Sequence, residues 1–135
     1  MSNVETRLSI AAEADVATAS LLAKSVAADV GFDTAGQAGI ATVVSELARN
    51  ILKYAVQGSI TLRRLVQDSR CGVEVVASDD GPGIEDVAAA LTDHFSTAGS
   101  LGLGLPGVRR LVDEFDLETS ANGGTRVSVR KWARP

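Results

Sequence analysis

Val73-Glu74-Val75-Val76-Ala77-Ser78-Asp79-Asp80-Gly81-Pro82-Gly83-Ile84 is the stretch on which the fold turns. Strand alternation puts Val73, Val75, Ala77 and Asp79 on one face. A carboxylate at the inner end of an apolar strand face is costly unless a donor meets it. Glycines at 81 and 83 let another group approach the backbone closely. The stretch therefore reads as a buried carboxylate facing a ligand donor at a pocket mouth. Asp-x-Gly-x-Gly also fits an ordinary strand-to-turn transition, because Asp and Gly are common turn residues. The flanking segments decide between the two.

Working outward, Ser59 to Val66 and Gly72 to Asp79 read as two strands joined by the polar turn Gln67-Asp68-Ser69-Arg70. Val4 to Ile10 alternates and reads as a strand. Val16, Ala19, Ala23, Val26 and Val30 form a helical stripe stopped by Gly31. Thr34-x-x-Gln37 has the form of a capping box, with Asp33 just before it. A long helix runs from there to about Ala55, with the stripe Ile40, Val43, Leu47 and Ile51, and Tyr54 alongside. Glu85 to His94 reads as a short helix. Val108, Leu111, Val112 and Phe115 give a further helical face. Leu117 to Ser120 and Thr125 to Val129 form a final hairpin across Asn122-Gly123. The order is that of an α+β domain: a two-layer sandwich with a mixed, mostly antiparallel sheet and helices on one face.

The chain has 135 residues, a net charge of −4, 45% apolar but 4% aromatic residues, and one cysteine. That length suits a single domain over 1–135 with a core of Ala, Val, Leu and Ile. An acidic chain has no footprint for nucleic acid or an anionic membrane. Arg63-Arg64, Arg109-Arg110 and Arg130-Lys131 read as solvated faces. Cys71, placed in a hairpin loop, cannot form an internal disulfide and suits a reducing compartment. No signal peptide or run of 18 apolar residues is seen, so a cytoplasmic protein is expected.

Glu46 and Asn50 are four apart on the long helix and share a face, on the shoulder of its apolar stripe. A solvated side-chain pair is one reading. The other is chemical: an Asn amide oxygen suits Mg²⁺ when phosphates supply most ligands. A Glu one turn earlier could accept a proton from an attacking hydroxyl. Lys53 lies on a nearby face, either solvated or close to phosphate. Gly99, Gly102, Gly104 and Gly107 surround Pro106 just before the helix of Val108. Pro106 fits a first helical turn, and bare N–H groups at a helix start make an anion site. A flexible linker is the alternative there. A Walker loop is excluded, because no Gly-Lys-Ser/Thr follows.

With these three segments in order, the chain resembles the GHKL (Bergerat-fold) ATP-binding proteins along nearly its whole length. Glu46-x-x-x-Asn50 looks like their N box, Asp79-x-Gly81-x-Gly83 like the first glycine box and Gly102-x-Gly104 like the second. Within that superfamily it is most similar to the anti-sigma-factor serine/threonine kinases of the RsbT type. Ser45 to Ile51, Asp80 to Ile84, Phe95-Ser96-Thr97, Gly104 to Val108 and Lys131-Trp132 carry that likeness.

The resemblance implies Glu46 as general base, Asn50 as Mg²⁺ ligand and Asp79 as acceptor of the adenine amino group. It implies that Gly81 and Gly83 shape the adenine pocket, that Gly102, Gly104 and Gly107 wrap the ATP phosphates, and that Phe95 to Leu101 form a lid. Thr125, after a Gly-Gly pair, matches an adenine-side threonine of the fold. His94 is not part of the motif. The implied activity is phosphorylation of STAS-domain scaffold proteins (RsbS and RsbR types) in a stressosome. A released kinase would then activate a PP2C-type phosphatase or another output module. Alternatives are an RsbW-type anti-sigma kinase, an ATP-dependent binding switch with little turnover, and the ATP-binding domain of a histidine kinase. The last lacks support, since no dimerisation helix pair or phosphoacceptor histidine is evident.

Overall fold

The computed structural model describes residues 5–55, 57–81, 104–120 and 123–134. In chain order the elements are β1 (Glu5–Ile10), α1 (Glu13–Val30), α2 (Thr34–Tyr54), β2 (Gly58–Gln67), β3 (Arg70–Asp79), α3 (Gly104–Leu111), β4 (Glu114–Ser120) and β5 (Gly124–Trp132). The helix expected over Glu85 to His94, the lid from Phe95 to Leu101, and Gly83 and Gly102 lie outside the described residues.

The strands form one sheet in the order β1-β2-β3-β5-β4. Every described pairing is antiparallel. The β2–β3 hairpin turns on Asp68 and Ser69, whose φ values are 49° and 71°. Positive φ at both central residues gives the turn twist that matches the flanking strands. Cys71 is therefore the second residue of β3, exposed, and not in the loop.

Strand alternation gives the sheet two faces. Ile60, Leu62, Val73, Val75, Ala77, Val127 and Val129 are buried beneath the helices. On the other face, Glu5, Arg63, Glu74, Arg130 and Glu114 are direct cross-strand neighbours, so one row of alternating charge crosses the sheet. The arginine pairs are thus not simply solvated: Arg63 and Arg130 both hold Glu74, and Arg64 meets Asp29.

In the helical layer, Val16, Ala19, Ala23 and Ala27 bury one face of α1, while Ile40, Val43, Val44, Leu47, Ala48 and Ile51 bury α2. The small side chains of α1 let it lie close to α2, against which it packs. Gly31 ends α1, its N–H donating to the carbonyls of Ala27 and Ala28. Truncating a fully buried leucine such as Leu47 to alanine would cost about 2–5 kcal/mol.

Three local expectations are corrected. The cap of α2 is Asp33, whose Oδ1 accepts from Gly36 N at 2.8 Å; Thr34 is already the first helical residue. A carboxylate one residue upstream outcompetes the Thr34 hydroxyl for the orphan N–H groups, helped by the positive helix end. Gln37 instead donates to the carbonyl of Phe32. Tyr54 is 46% exposed and leaves the stripe, because α2 ends there. Phe115 belongs to β4, since α3 stops at Leu111. Its register opposite Val129 keeps it on the covered face all the same.

Candidate functional site

The end of β3 is built to present one side chain. Gly58, Asp79, Thr125 and Thr119 are successive cross-strand neighbours on β2, β3, β5 and β4. Asp79 is half-buried, continuing the face of Val73, Val75 and Ala77 as alternation requires. Its Oδ1 accepts a hydrogen bond from Gly81 N at 2.8 Å. That bond bends the chain back over the carboxylate and fixes its orientation. Among the described residues, no donor meets the other oxygen. Asp80, its neighbour, is exposed.

Close approaches around Asp79 explain the glycines. A Cβ on Gly81 would lie 2.6 Å from Ala55 Cβ and 2.9 Å from Ala55 Cα. Gly81 is therefore seated against the C-terminal end of α2. A Cβ on Gly124 would lie 2.0 Å from the Asp79 carbonyl oxygen, and Gly124 has a φ of 84°. Both the space and the conformation require glycine there. Gly58, which would meet Ser78 O at 2.4 Å and Ile51 Cγ2 at 2.9 Å, closes the row on the other side. Sequence reasoning reached Gly81 and Thr125 but not Gly58, Gly124 or Thr119. Gly124 had a legible signal, as the second glycine ahead of Thr125. Gly58 and Thr119 had none, because only the register places them beside Asp79.

Thr125 is half-buried, and its Oγ1 is 3.0 Å from Thr119 Oγ1. Asp79, Thr119, Gly124 and Thr125 line a groove of about 360 Å³ at this end of the sheet. A volume of that order suits part of a small ligand. A larger groove, about 860 Å³, lies beside Trp132 and the start of α2. Trp132 pairs with Gly72, at the opposite end of β3 from Asp79. Acids in that groove are already engaged: Asp113 accepts from Trp132 N and Glu114 from Trp132 Nε1. Asp79 is therefore the candidate carried forward.

Glu46 lies deeper in α2 than its place beside the stripe implied. It is 3% exposed and the one charged residue buried among those described. Its partner is Arg49, with Nη1 3.6 Å from Oε1. That distance is too long for a hydrogen bond. A sheltered carboxylate so weakly met keeps its acceptor capacity for something else. Asn50, one turn on, is half-buried. Lys53 is exposed, with its ammonium 5.2 Å from the centre of the Tyr54 ring. Gly104 opens α3, and Gly107 is buried within the helix, which packs on α2. The structure thus seats Gly81 against the end of the helix that carries Glu46 and Asn50, with Thr125 opposite Asp79 on the neighbouring strand and α3 packed on the same helix.

Residues 35–135 match the family described as histidine kinase-, DNA gyrase B-, and HSP90-like ATPase. The chain belongs to that family. Within it, the chain is 44% identical over 132 residues to the serine/threonine-protein kinase RsbT of Bacillus subtilis (strain 168), covering 98% of this chain and 99% of the relative. It is 34% identical to an anti-sigma F factor of Caldanaerobacter subterraneus subsp. tengcongensis, over 70% of this chain and 69% of the relative. Among solved structures, the RsbU and RsbW domains of Rv1364c from Mycobacterium tuberculosis superpose with a TM-score of 0.65 at 20% identity, over 100% of this chain and 34% of that one. At that identity the superposition speaks for the ATPase fold alone. It agrees with an antiparallel sheet covered on one face by helices.

Proposed function

We propose that the chain phosphorylates STAS-domain scaffold or antagonist proteins of the RsbS and RsbR types in a stressosome. When released, it activates a PP2C-type phosphatase or another output module in the cytoplasm. The class of activity follows from likeness along both whole chains: the chain is an ATP-dependent serine/threonine-protein kinase. β1 and α1, which precede residue 35, share the sheet and helical layer with the rest, and we take residues 1–135 as one ATPase domain. Among the described residues no helix is long and apolar enough to cross a membrane.

One observation carries the site assignment: buried Glu46 and half-buried Asn50 stand one turn apart on the helix whose end receives the Asp79–Gly81 loop. Asp79 accepts from the adenine amino group, with Gly81, Gly83 and Thr125 around it. Gly102 and Gly104, before and at the start of α3, and Gly107 in its first turn bring N–H groups to the phosphates. The amide oxygen of Asn50 suits Mg²⁺, which takes most of its oxygens from phosphate and water. Asn50 would supply the protein ligand, and the ion would neutralise phosphate charge.

Glu46 accepts the proton of the substrate hydroxyl as its oxygen bonds to the γ-phosphorus. The bond from that phosphorus to the β–γ bridging oxygen breaks, and ADP leaves. Such transfer needs mainly positioning and charge neutralisation. Radiolabelled ATP and a purified STAS-domain substrate test the proposal. Label should move to the substrate with the intact chain and not with Glu46→Ala. Transfer at the normal rate by that variant removes Glu46 from the base role.

The anti-sigma F relatives favour a second reading, in which the chain also holds a sigma factor. Retention of a sigma factor by the ATP-loaded chain, without capture of a phosphatase, would select it.

A further inference from the structure

Glu46 and Arg49 are three apart on α2, a spacing that makes them neighbours on the helix surface. Glu46 is buried, and a carboxylate at that depth is costly without an opposite charge beside it. Arg49 supplies that charge. Its Nη1 lies 3.6 Å from Glu46 Oε1, and its side chain is 36% exposed. The arginine therefore reaches from the solvent side of α2 to a carboxylate beneath it. At 3.6 Å the contact is one of charge with charge, longer than a hydrogen bond. A hydrogen bond would occupy an acceptor position on the carboxylate, and proton uptake needs one. Arg49 thus offsets the burial of Glu46 and biases the direction its carboxylate faces without consuming an acceptor position.

We propose that Arg49 is a positioning residue for phosphoryl transfer: it holds the Glu46 carboxylate, by charge, in the orientation that accepts the substrate proton. This rests on the general-base reading above. A base must lie within hydrogen-bond reach of the proton it takes, and small misplacements of a reacting group are expensive. A glutamate side chain has several rotatable torsions, and the attraction of Arg49 favours those rotamers that keep Oε1 toward the guanidinium. Arg49 acts only through Glu46, so its effect on the chemical step exists only while position 46 carries a carboxylate. A planar guanidinium fork is not required for a contact of this kind, and a lysine ammonium can replace it.

A double-mutant cycle tests this, with steady-state transfer from Mg·ATP to a purified STAS-domain substrate and calorimetric ATP titrations of the same variants. Arg49→Ala should lower kcat about 10–100-fold, the scale of a misplaced reacting group, with the Kd for Mg·ATP unchanged. Arg49→Lys should recover most of that loss. In the Glu46→Gln background, Arg49→Ala should change kcat less than about twofold, because no carboxylate is left to hold. Equal fold-losses in the two backgrounds overturn the proposal, since Arg49 would then act independently of Glu46. So does a Kd for Mg·ATP weakened as much as kcat falls, which a direct phosphate contact would give. If Arg49→Ala does not fold, Arg49→Met, which keeps the apolar stem, is read the same way. The Glu46→Gln single variant separates the two levels. Its loss of transfer together with normal transfer by Arg49→Ala removes only the role of Arg49. Normal transfer by Glu46→Gln removes the base reading and this inference with it.

Discussion

Two sheltered glutamates on opposite sides of the sheet have opposite surroundings. Glu74 lies on the uncovered face, its side chain 13% exposed, with Arg63 Nη2 at 2.7 Å and Arg130 Nε at 2.9 Å. Glu46 lies on α2 in the helical layer, is more deeply buried, and is met by one arginine at 3.6 Å. Burial makes an ionised carboxylate costly, and close donors offset that cost. Glu74 has its donors inside the protein, so its role is complete within the fold. Glu46 has only the longer Arg49 contact among the described residues, which is what makes it the candidate base proposed above. A buried carboxylate is informative here through its partners more than through its burial.

The largest expected effect divides the pair. Glu46→Gln, close in shape and unable to take up the substrate proton in the same way, should lower phosphoryl transfer by about 10²–10⁴-fold, the usual range for a general base. Its thermal midpoint should stay near that of the parent chain. Glu74→Gln should leave transfer within about twofold, because a residue on the uncovered face has no part in proton transfer. Steady-state transfer assays on both variants check the contrast. Equal losses of activity would erase the functional distinction between the two glutamates.

Asp79 falls between the two extremes, with one oxygen bound by Gly81 N and the other met by no donor among the described residues. Asp79→Asn replaces an acceptor with a donor toward the adenine amino group and should weaken ATP binding more than about tenfold, as a lost charged hydrogen bond does. Isothermal titration with Mg·ATP measures it. The Gly81 bond can be kept by the asparagine oxygen, so the loop should stay folded and the loss should appear in affinity, not stability.

Stability reverses the ranking of the glutamates. Glu74→Ala leaves Arg63 and Arg130 without their shared acceptor. Their side chains are 37% and 39% exposed, so solvent softens the loss. We expect about 1–2 kcal/mol, between the exposed and buried limits for ion pairs. Urea melts at low and high salt check it. The gap between parent and variant should narrow with salt, because part of the attraction is screened.

Much of this contrast was legible in the chain, for definite reasons. Val73, Val75 and Ala77 alternate along β3, and one face of α2 is continuous, so the strand, the helix and the face that Asp79 shares followed from periodicity, while Asp79, expected buried, is half-buried at the strand end. Glu46 and Asn50 were found by spacing, but how deeply Glu46 sinks depends on what packs against α2 from elsewhere in the chain. Glu74 passed unnoticed. Its two arginines stand on β2 and β5, and only antiparallel register brings them opposite it. Thr119 and Gly58 escaped for the same reason. Phe115 was misassigned to a helix because a short apolar run at the end of α3 fits both periods.

The capping of α2 gives the smallest test and turns on the same accounting of carboxylate partners. Asp33 is exposed, yet its oxygen has a definite backbone donor, Gly36 N. Thr34-x-x-Gln37 matched a capping box by pattern, but the Gln37 amide goes to the Phe32 carbonyl. If partners rather than position in a motif decide a residue's worth, Asp33→Ala should cost about 1 kcal/mol, the usual loss for an N-cap. Thr34→Ala, at the first helical position, should lie within about 0.5 kcal/mol of the parent, as surface changes usually do. Thermal melts of the two single variants order them. The reverse order would return the cap to Thr34 and weaken the rule that separates Glu46 from Glu74.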